Sequence, residues 1–191
     1  DNIWVCTRYH PTKIDNKYTG EHFKKRVTYH DDGIRKITKN DNILFDKSIS
    51  ELFIENGMEY LLFAASSAFN NDPIHLNDIQ PVLKDTKYWK KGDVFLSLRN
   101  QSMILLYRPK TNKLIWKSTG MFFYQHDIDI IDDHRISIYN NNTKNFWDGY
   151  KVDGENEVLI YDFSTEKYES YQKENFINDS ISTLNAGIHE I

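Results

Sequence analysis

Residues 102–118, "SMILLYRPKTNKLIWKS", recur in outline 54 residues later as 156–172, "NEVLIYDFSTEKYESYQ". In each stretch an apolar strand ends in a tyrosine, a threonine follows four residues on, and a lysine two residues further opens the next strand. Tyr107, Thr111 and Lys113 thus match Tyr161, Thr165 and Lys167. Upstream of each lies another matched strand, "DVFLSLRNQS" (93–102) before the first and "HRISIYNNNT" (134–143) before the second. Further upstream each unit opens at a histidine, His75 in "IHLNDIQPV" and His126 in "QHDIDII", and "GIHEI" offers His189 where another unit would begin. Each unit reads as four antiparallel strands with a tight turn before the last. Repetition at roughly 50 residues is the pattern of propeller blades. A blade cannot bury both faces alone, so it needs neighbours.

The expected fold is therefore all-β: a β-propeller of four-stranded antiparallel blades, an incomplete ring of about half of six blades. Residues 1–191 form one propeller domain in this reading. They comprise an irregular N-terminal blade region at 1–70, blades at 71–118 and 124–173, and the start of a next blade at 187–191. Strands are predicted at 3–7, 34–38, 43–45, 59–64, 76–83, 93–98, 103–108, 113–117, 127–131, 135–139, 157–162, 166–171 and 188–191. One short helix is predicted over 48–57, with Ser48 and Glu51 at capping-box spacing and Gly57 suited to the left-handed position after its end. No helical spacer separates the strands after residue 90, which excludes a parallel βαβ sheet.

Composition narrows the function classes. With 191 residues, 14% of them aromatic, the chain can bury one sizeable core and favours pleated surfaces. A net charge of −4 without a long basic run excludes a nucleic-acid partner, and "HFKKRV" (22–27) reads as a solvated turn. No window of about 20 apolar residues is present to span a membrane, and "DNIWVCTRYH" lacks the pattern of a signal peptide. Cys6 is the single cysteine, which excludes an intramolecular disulfide and a multi-cysteine metal site; a buried structural thiol is expected there. The chain opens and closes inside apolar runs, as a fragment of a longer protein would.

The first strand of a propeller blade lines the central channel, so blade-start residues from successive blades converge at one mouth. In that geometry His75 and His126 face one cavity. In order and spacing, "DPIHLNDIQPV", "GDVFLSLRNQSMILLYRP", "KLIW", "QHDIDII" and "ISIYNNN" resemble the arylsulfotransferase family, best over about residues 43–145. The resemblance implies a propeller that moves a sulfuryl group from an aryl sulfate to a phenol, with neither nucleotide cofactor nor metal. It implies catalytic roles for His75 and His126, with Asn77 as the polar partner on the same strand face as His75. "YNNN" (139–142) stands where the family has Phe-Asp-Asn-Gly, which puts Asn141 in the position of the motif's asparagine. Lys144 is the nearest cation to the place of the family's sulfate-gripping arginine, and a lysine there lacks the planar fork. The histidine that becomes transiently sulfated in the family falls beyond Ile191, and His189 matches no motif for that role. An extracytoplasmic home also follows from the resemblance.

Other residues carry two readings. Arg99 is either a sulfate contact or a blade-to-blade ion pair, and Gln101 and Ser102 read as turn formers. Asp127, Asp129, Asp132, Asp133 and His134 offer metal-ligand types, but turn chemistry explains Asp132 and Asp133. Of the four tryptophans, Trp116 reads as blade packing and Trp147 as a substrate wall, with Trp4 and Trp89 unassigned. Tyr9, His10, His22 and His30 receive no role, and "NQS", "NNT" and "NDS" are glycosylation triplets of a kind common by chance. The competing function is a non-catalytic propeller that binds a sulfated ligand or a protein. The ring would be completed by further blades of the parent chain or by a second copy.

Overall fold

A computed structural model describes residues 2–9, 29–65 and 70–171. The chain begins with an antiparallel sheet in the order β1 (Asn2–Tyr9), β2 (Asp31–Thr38), β3 (Ile43–Ser48). Helix α1 (Ile49–Glu55) follows directly. Its first turn leaves backbone N–H groups without helical partners, and Ser48 Oγ satisfies one by accepting from Glu51 N at 3.1 Å. Leu52 and Phe53 turn inward, and Gly57 takes φ +70° beyond the end. The short helix is where the capping residues placed it.

Residues 59–64 depart from expectation. Instead of a strand they form a single helical turn, α2 (Tyr60–Phe63). An apolar run specifies burial rather than geometry, and here Leu62 is buried while Tyr60 is exposed. Bonds from Leu62 N to Glu59 O and from Ala64 N to Tyr60 O satisfy the backbone locally, without a neighbouring strand.

Two antiparallel meanders follow. The first runs β4 (Leu76–Pro81), β5 (Val94–Leu98), β6 (Met103–Arg108), β7 (Lys113–Thr119), each strand paired with the next. The second comprises β8 (His126–Ile130) and β9 (Arg135–Asn140), then a hairpin of β10 (Thr143–Phe146) and β11 (Gly149–Val152) outside the sheet, then β12 (Glu157–Asp162) and β13 (Lys167–Tyr171). Its sheet order is β8-β9-β12-β13. The 54-residue repeat is visible in the turns: Asn112 and Glu166, one period apart, both adopt the left-handed conformation, at φ +52° and +58°.

Period-two alternation explains how the sheets stack. Leu96, Leu98, Leu105 and Tyr107 face a core shared with α1 and β2, where Ile34, Leu52 and Phe53 are buried. Phe95, Ile104 and Leu106 point the other way, into a second core with Trp89, Ile128, Ile136 and Ile138. "VFLSL" and "MILLY" are continuously apolar because their sheet is covered on both faces. Trp116 packs between sheets, its ring 4.9 Å from Tyr161 and 4.8 Å from Phe163. The last sheet has one covered face, so β9 alternates buried and half-buried residues.

β1 packs against β4, and β4 against β8. The fold is thus all-β, three antiparallel sheets packed in succession with little helix, and among the described residues they close no ring. The expected strand 188–191, His189, His10, His22, "HFKKRV" and "NDS" lie outside the described residues. Cys6 corrects its expectation: it lies exposed on β1, between half-buried Val5 and Thr7, rather than buried. Surrounding atoms nevertheless crowd the thiol, and that desolvation, then the charges of Asp78 and Asp32, push it up to about 12. It stays protonated at neutral pH and is a poor nucleophile.

Candidate functional site

The segment Phe123–His126 joins β7 to β8, and side chains from three directions hold it. Asn140 Oδ1 accepts from Phe123 N at 2.9 Å, and Ser102 Oγ accepts from Tyr124 N at 3.2 Å. Asn141 Nδ2 donates to Tyr124 O at 2.5 Å, and Asn77 Nδ2 donates to Gln125 O at 2.9 Å. Gln125 is buried, its Nε2 donating to Ser97 Oγ and Met103 O. Tyr124 itself adopts φ +52°, a conformation costly for a bulky residue and maintained here by bonds at both its N–H and its carbonyl.

The start of β4 meets this segment. His75 also adopts a left-handed conformation, φ +53°, immediately before the strand. Its carbonyl accepts from Arg99 N at 3.0 Å, and its Nδ1 lies 2.6 Å from Asp72 Oδ2. The Arg99 guanidinium carbon stands 4.9 Å from the centre of the Tyr124 ring and 6.0 Å from that of Tyr150. Tyr124 and Tyr150 pack edge to face at 5.3 Å. Burial, and next the neighbouring Tyr150, push the Tyr124 hydroxyl up, while Arg99 pulls it down. Among the described residues no carboxylate lies within ion-pair distance of Arg99. The ion-pair expectation for Arg99 gives way to cation–π stacking.

Strand register separates the two histidines by one position. A bulge follows both Leu76 and His126, leaving Asn77 and Asp127 as the extra residues. In that frame His126, opposite Tyr139, corresponds to Leu76, and His75 corresponds to Gln125. The Asn77–Gln125 bond nonetheless brings the two strand starts together. Asn77, Arg99 and Asn141 therefore contact the segment that leads into His126, and His75 joins it through the backbone bond from Arg99. Asn77 and Asn141 act on it through backbone carbonyls, and the Oδ1 atom of each is buried without a hydrogen-bond partner among the described residues.

Two expected members stand apart. Lys144 reaches the Phe123 ring, 5.2 Å from its centre, but is ion-paired with Asp153 across the hairpin. Trp147 sits at the hairpin tip, 98% exposed, and among the described residues it lines no cleft. Asp72, Tyr124 and Tyr150 had no place in the sequence reading. Asp72 and Tyr124 each lie within three residues of a predicted histidine, whereas Tyr150 had no local signal.

Of the carboxylates in 127–134, Asp132 orders its turn and Asp133 pairs with Lys84. Asp132 Oδ1 accepts from His134 N and Arg135 N, as turn chemistry requires. Among the described residues no three His, Cys, Asp or Glu side chains are grouped to hold a metal ion. A cleft of about 440 Å³ opens beside this turn, lined by Thr86, Lys87, Tyr88, Asp133, His134 and Ser164. It lies at the turn opposite the strand starts and shares no residue with the site.

The arrangement offers a guanidinium that has no carboxylate partner among the described residues, set against two aromatic rings, with a histidine at each adjoining strand start. Such a set suits an anion joined to an aromatic group. A family model described as Arylsulfotransferase (ASST) matches residues 1–191. No curated protein matches the chain.

Proposed function

The chain belongs to the arylsulfotransferase family, and from that premise we propose that it transfers a sulfuryl group from an aryl sulfate to a phenol at the starts of β4 and β8. The observation that carries this reading is Arg99, a cation facing Tyr124 and Tyr150 with no carboxylate beside it among the described residues, bonded through its backbone to His75. A sulfuryl group spreads negative charge over its oxygens as it is transferred, so a guanidinium and two imidazoles can stabilise the transition state without metal or nucleotide. The flanking tyrosines supply faces and edges for an aryl ring. His75 and His126 bind the oxyanion and exchange protons with the two phenols. Asn77 and Asn141 hold the segment that carries His126.

The proposed frame is a β-propeller. Residues 71–118 and 124–173 are blades in it, 1–70 an irregular N-terminal blade region, and β1, β4 and β8 line the channel. The succession of packed sheets with their first strands side by side supports it. An extracytoplasmic location accompanies the family assignment; among the described residues no helix is long and apolar enough to cross a membrane.

The test uses the full chain with a chromogenic aryl sulfate, with and without a phenol acceptor. Acceptor-dependent phenolate release that collapses in His126→Ala supports the reading. Binding of the aryl sulfate without release would instead indicate a propeller that binds sulfated ligands and has no transferase activity.

A further inference from the structure

We propose that Tyr150, on the β10–β11 hairpin, is the specificity-determining residue that makes the Arg99 site prefer an anion joined to an aromatic ring over one joined to a saturated group. The inference rests on the sulfuryl-transfer reading above and deepens it, assigning the choice of substrate class to one side chain. The two meanders are built alike except at one connection. In the first, β5 passes to β6 through residues 99–102. In the second, the corresponding passage from β9 to β12 takes residues 141–156 and contains the hairpin. The sheet does not need this addition, since β9 and β12 pair with each other directly. In a repeated architecture, an insertion confined to one unit often falls on the binding face.

The hairpin folds back onto the turn of the preceding unit. The Tyr150 ring centre lies 6.0 Å from the guanidinium carbon of Arg99, which opens that turn, and 5.3 Å from the Tyr124 ring. The Tyr124 hydroxyl hydrogen-bonds to the side chains of Tyr150 and Asn145, which oppose each other across the hairpin. Lys144 covers the neighbouring Phe123 ring. At the base, Asp153 N donates to Asn142 O at 2.7 Å, and Asn142 Nδ2 donates to Glu155 O at 3.2 Å. A two-stranded hairpin is marginally stable alone in water, so these contacts set its position.

The two tyrosines are not equivalent. Tyr124 is fixed by bonds at its N–H and carbonyl, whereas Tyr150 stands outside the sheet, 50% exposed, and leaves surface for a ligand. The hairpin's own cations are neutralised, Lys144 by Asp153 and Lys151 by Asp148. Arg99 donates to Asn100 Oδ1 at 3.4 Å and has no carboxylate beside it among the described residues, so it is the cation left to take the anion. A ring attached to that anion meets Tyr150. Aromatic rings have positive edges and negative faces, which favour edge-to-face contact; a saturated ring gains burial without that attraction.

The test is calorimetric binding of benzenesulfonate and cyclohexanesulfonate to the full chain. These anions match in charge and size, and their sulfur is bonded to carbon, so no group is transferred. Wild type is expected to bind benzenesulfonate about fivefold tighter. Tyr150→Leu should bring the two within about twofold, with cyclohexanesulfonate affinity changing less than about threefold, and Tyr150→Phe should keep the preference. Arg99→Met should weaken both by about tenfold or more, which locates the binding. A merely structural Tyr150 would shift both affinities together and leave their ratio in place. That result, equal or absent binding by wild type, or wild-type binding of both by Arg99→Met, overturns the proposal. A chromogenic aryl sulfate assayed alongside separates the two readings. Transfer with an unchanged ratio in Tyr150→Leu removes the role of Tyr150 alone; a collapsed ratio without transfer supports that role and removes sulfuryl transfer.

Discussion

Asp78, in β4, accepts the backbone N–H of Ile128, in β8, at 2.9 Å, much as Asp32 of β2 accepts that of Leu76 at the start of β4. In each case a carboxylate from the preceding sheet takes up an N–H near the beginning of the strand, that of Leu76 before the bulge of β4 and that of Ile128 just after the bulge of β8. These contacts tie each sheet to the next beside the candidate site.

The pairing makes stability depend on pH through Asp78. Burial, opposed by the Ile128 N–H and reinforced by Asp127 and Asp129, raises its carboxyl from 3.8 to about 6. A raised carboxyl binds its proton more tightly in the folded state. Its stabilising contribution is therefore full below pH 3.8 and is lost as pH rises through about 6. Asp78→Asn keeps an acceptor for Ile128 without that dependence. Relative to wild type, it is expected to gain stability between pH 4 and pH 7, by an amount of order 3 kcal/mol. Thermal unfolding at a series of pH values checks this, and parallel curves for the two proteins would contradict it.

Arg108 and Asp93 form a two-pronged pair, both N–O distances 2.7 Å, with Asp93 almost wholly buried. Asp93 also accepts from Lys90 N at 2.9 Å, which ties the long β4–β5 connection to the sheet. Arg108→Met leaves the buried carboxylate without its cation and is expected to cost about 3–5 kcal/mol in denaturant unfolding. A loss below about 1 kcal/mol would show that the pair is not what anchors this connection.

Adjacent residues of β5 should be equally intolerant although they face opposite ways. Phe95→Ala opens a cavity in the core with Trp89, and Leu96→Ala opens one in the core with α1. Each is expected to cost about 3–5 kcal/mol. A sheet open to water on one face would tolerate one of the two.

Much of this fold was legible because its determinants are local. The repeat of Tyr107 and Tyr161 carries strand, turn and next strand within a dozen residues, and Asn112 and Glu166 repeat even the backbone conformation. Residues 59–64 were misread because their apolar run has no period to set geometry. The hairpin 143–152 was missed although its turn, Trp147-Asp148, is followed by Gly149, which pairs with Phe146 and adopts φ +116°, a conformation that favours glycine. In the site, His75 and His126 stood out by position in the repeat. Tyr150 and the pairing of His30 with Asp72 did not, since only the packing of separate segments brings them near Arg99 and His75. Trp147 misled because an exposed aromatic and a wall-forming one look alike in sequence.

The central claim is that the strand starts of β4 and β8, organised around Arg99, form the sulfuryl site. The most direct measurement compares kcat/KM for a chromogenic aryl sulfate in the full chain, in Arg99→Met and in Trp147→Ala, each shown folded. The predicted result is a loss of about 100-fold to 1000-fold for Arg99→Met, with Trp147→Ala within about threefold of wild type. Wild-type kcat/KM in Arg99→Met would place the sulfuryl group elsewhere and contradict the account.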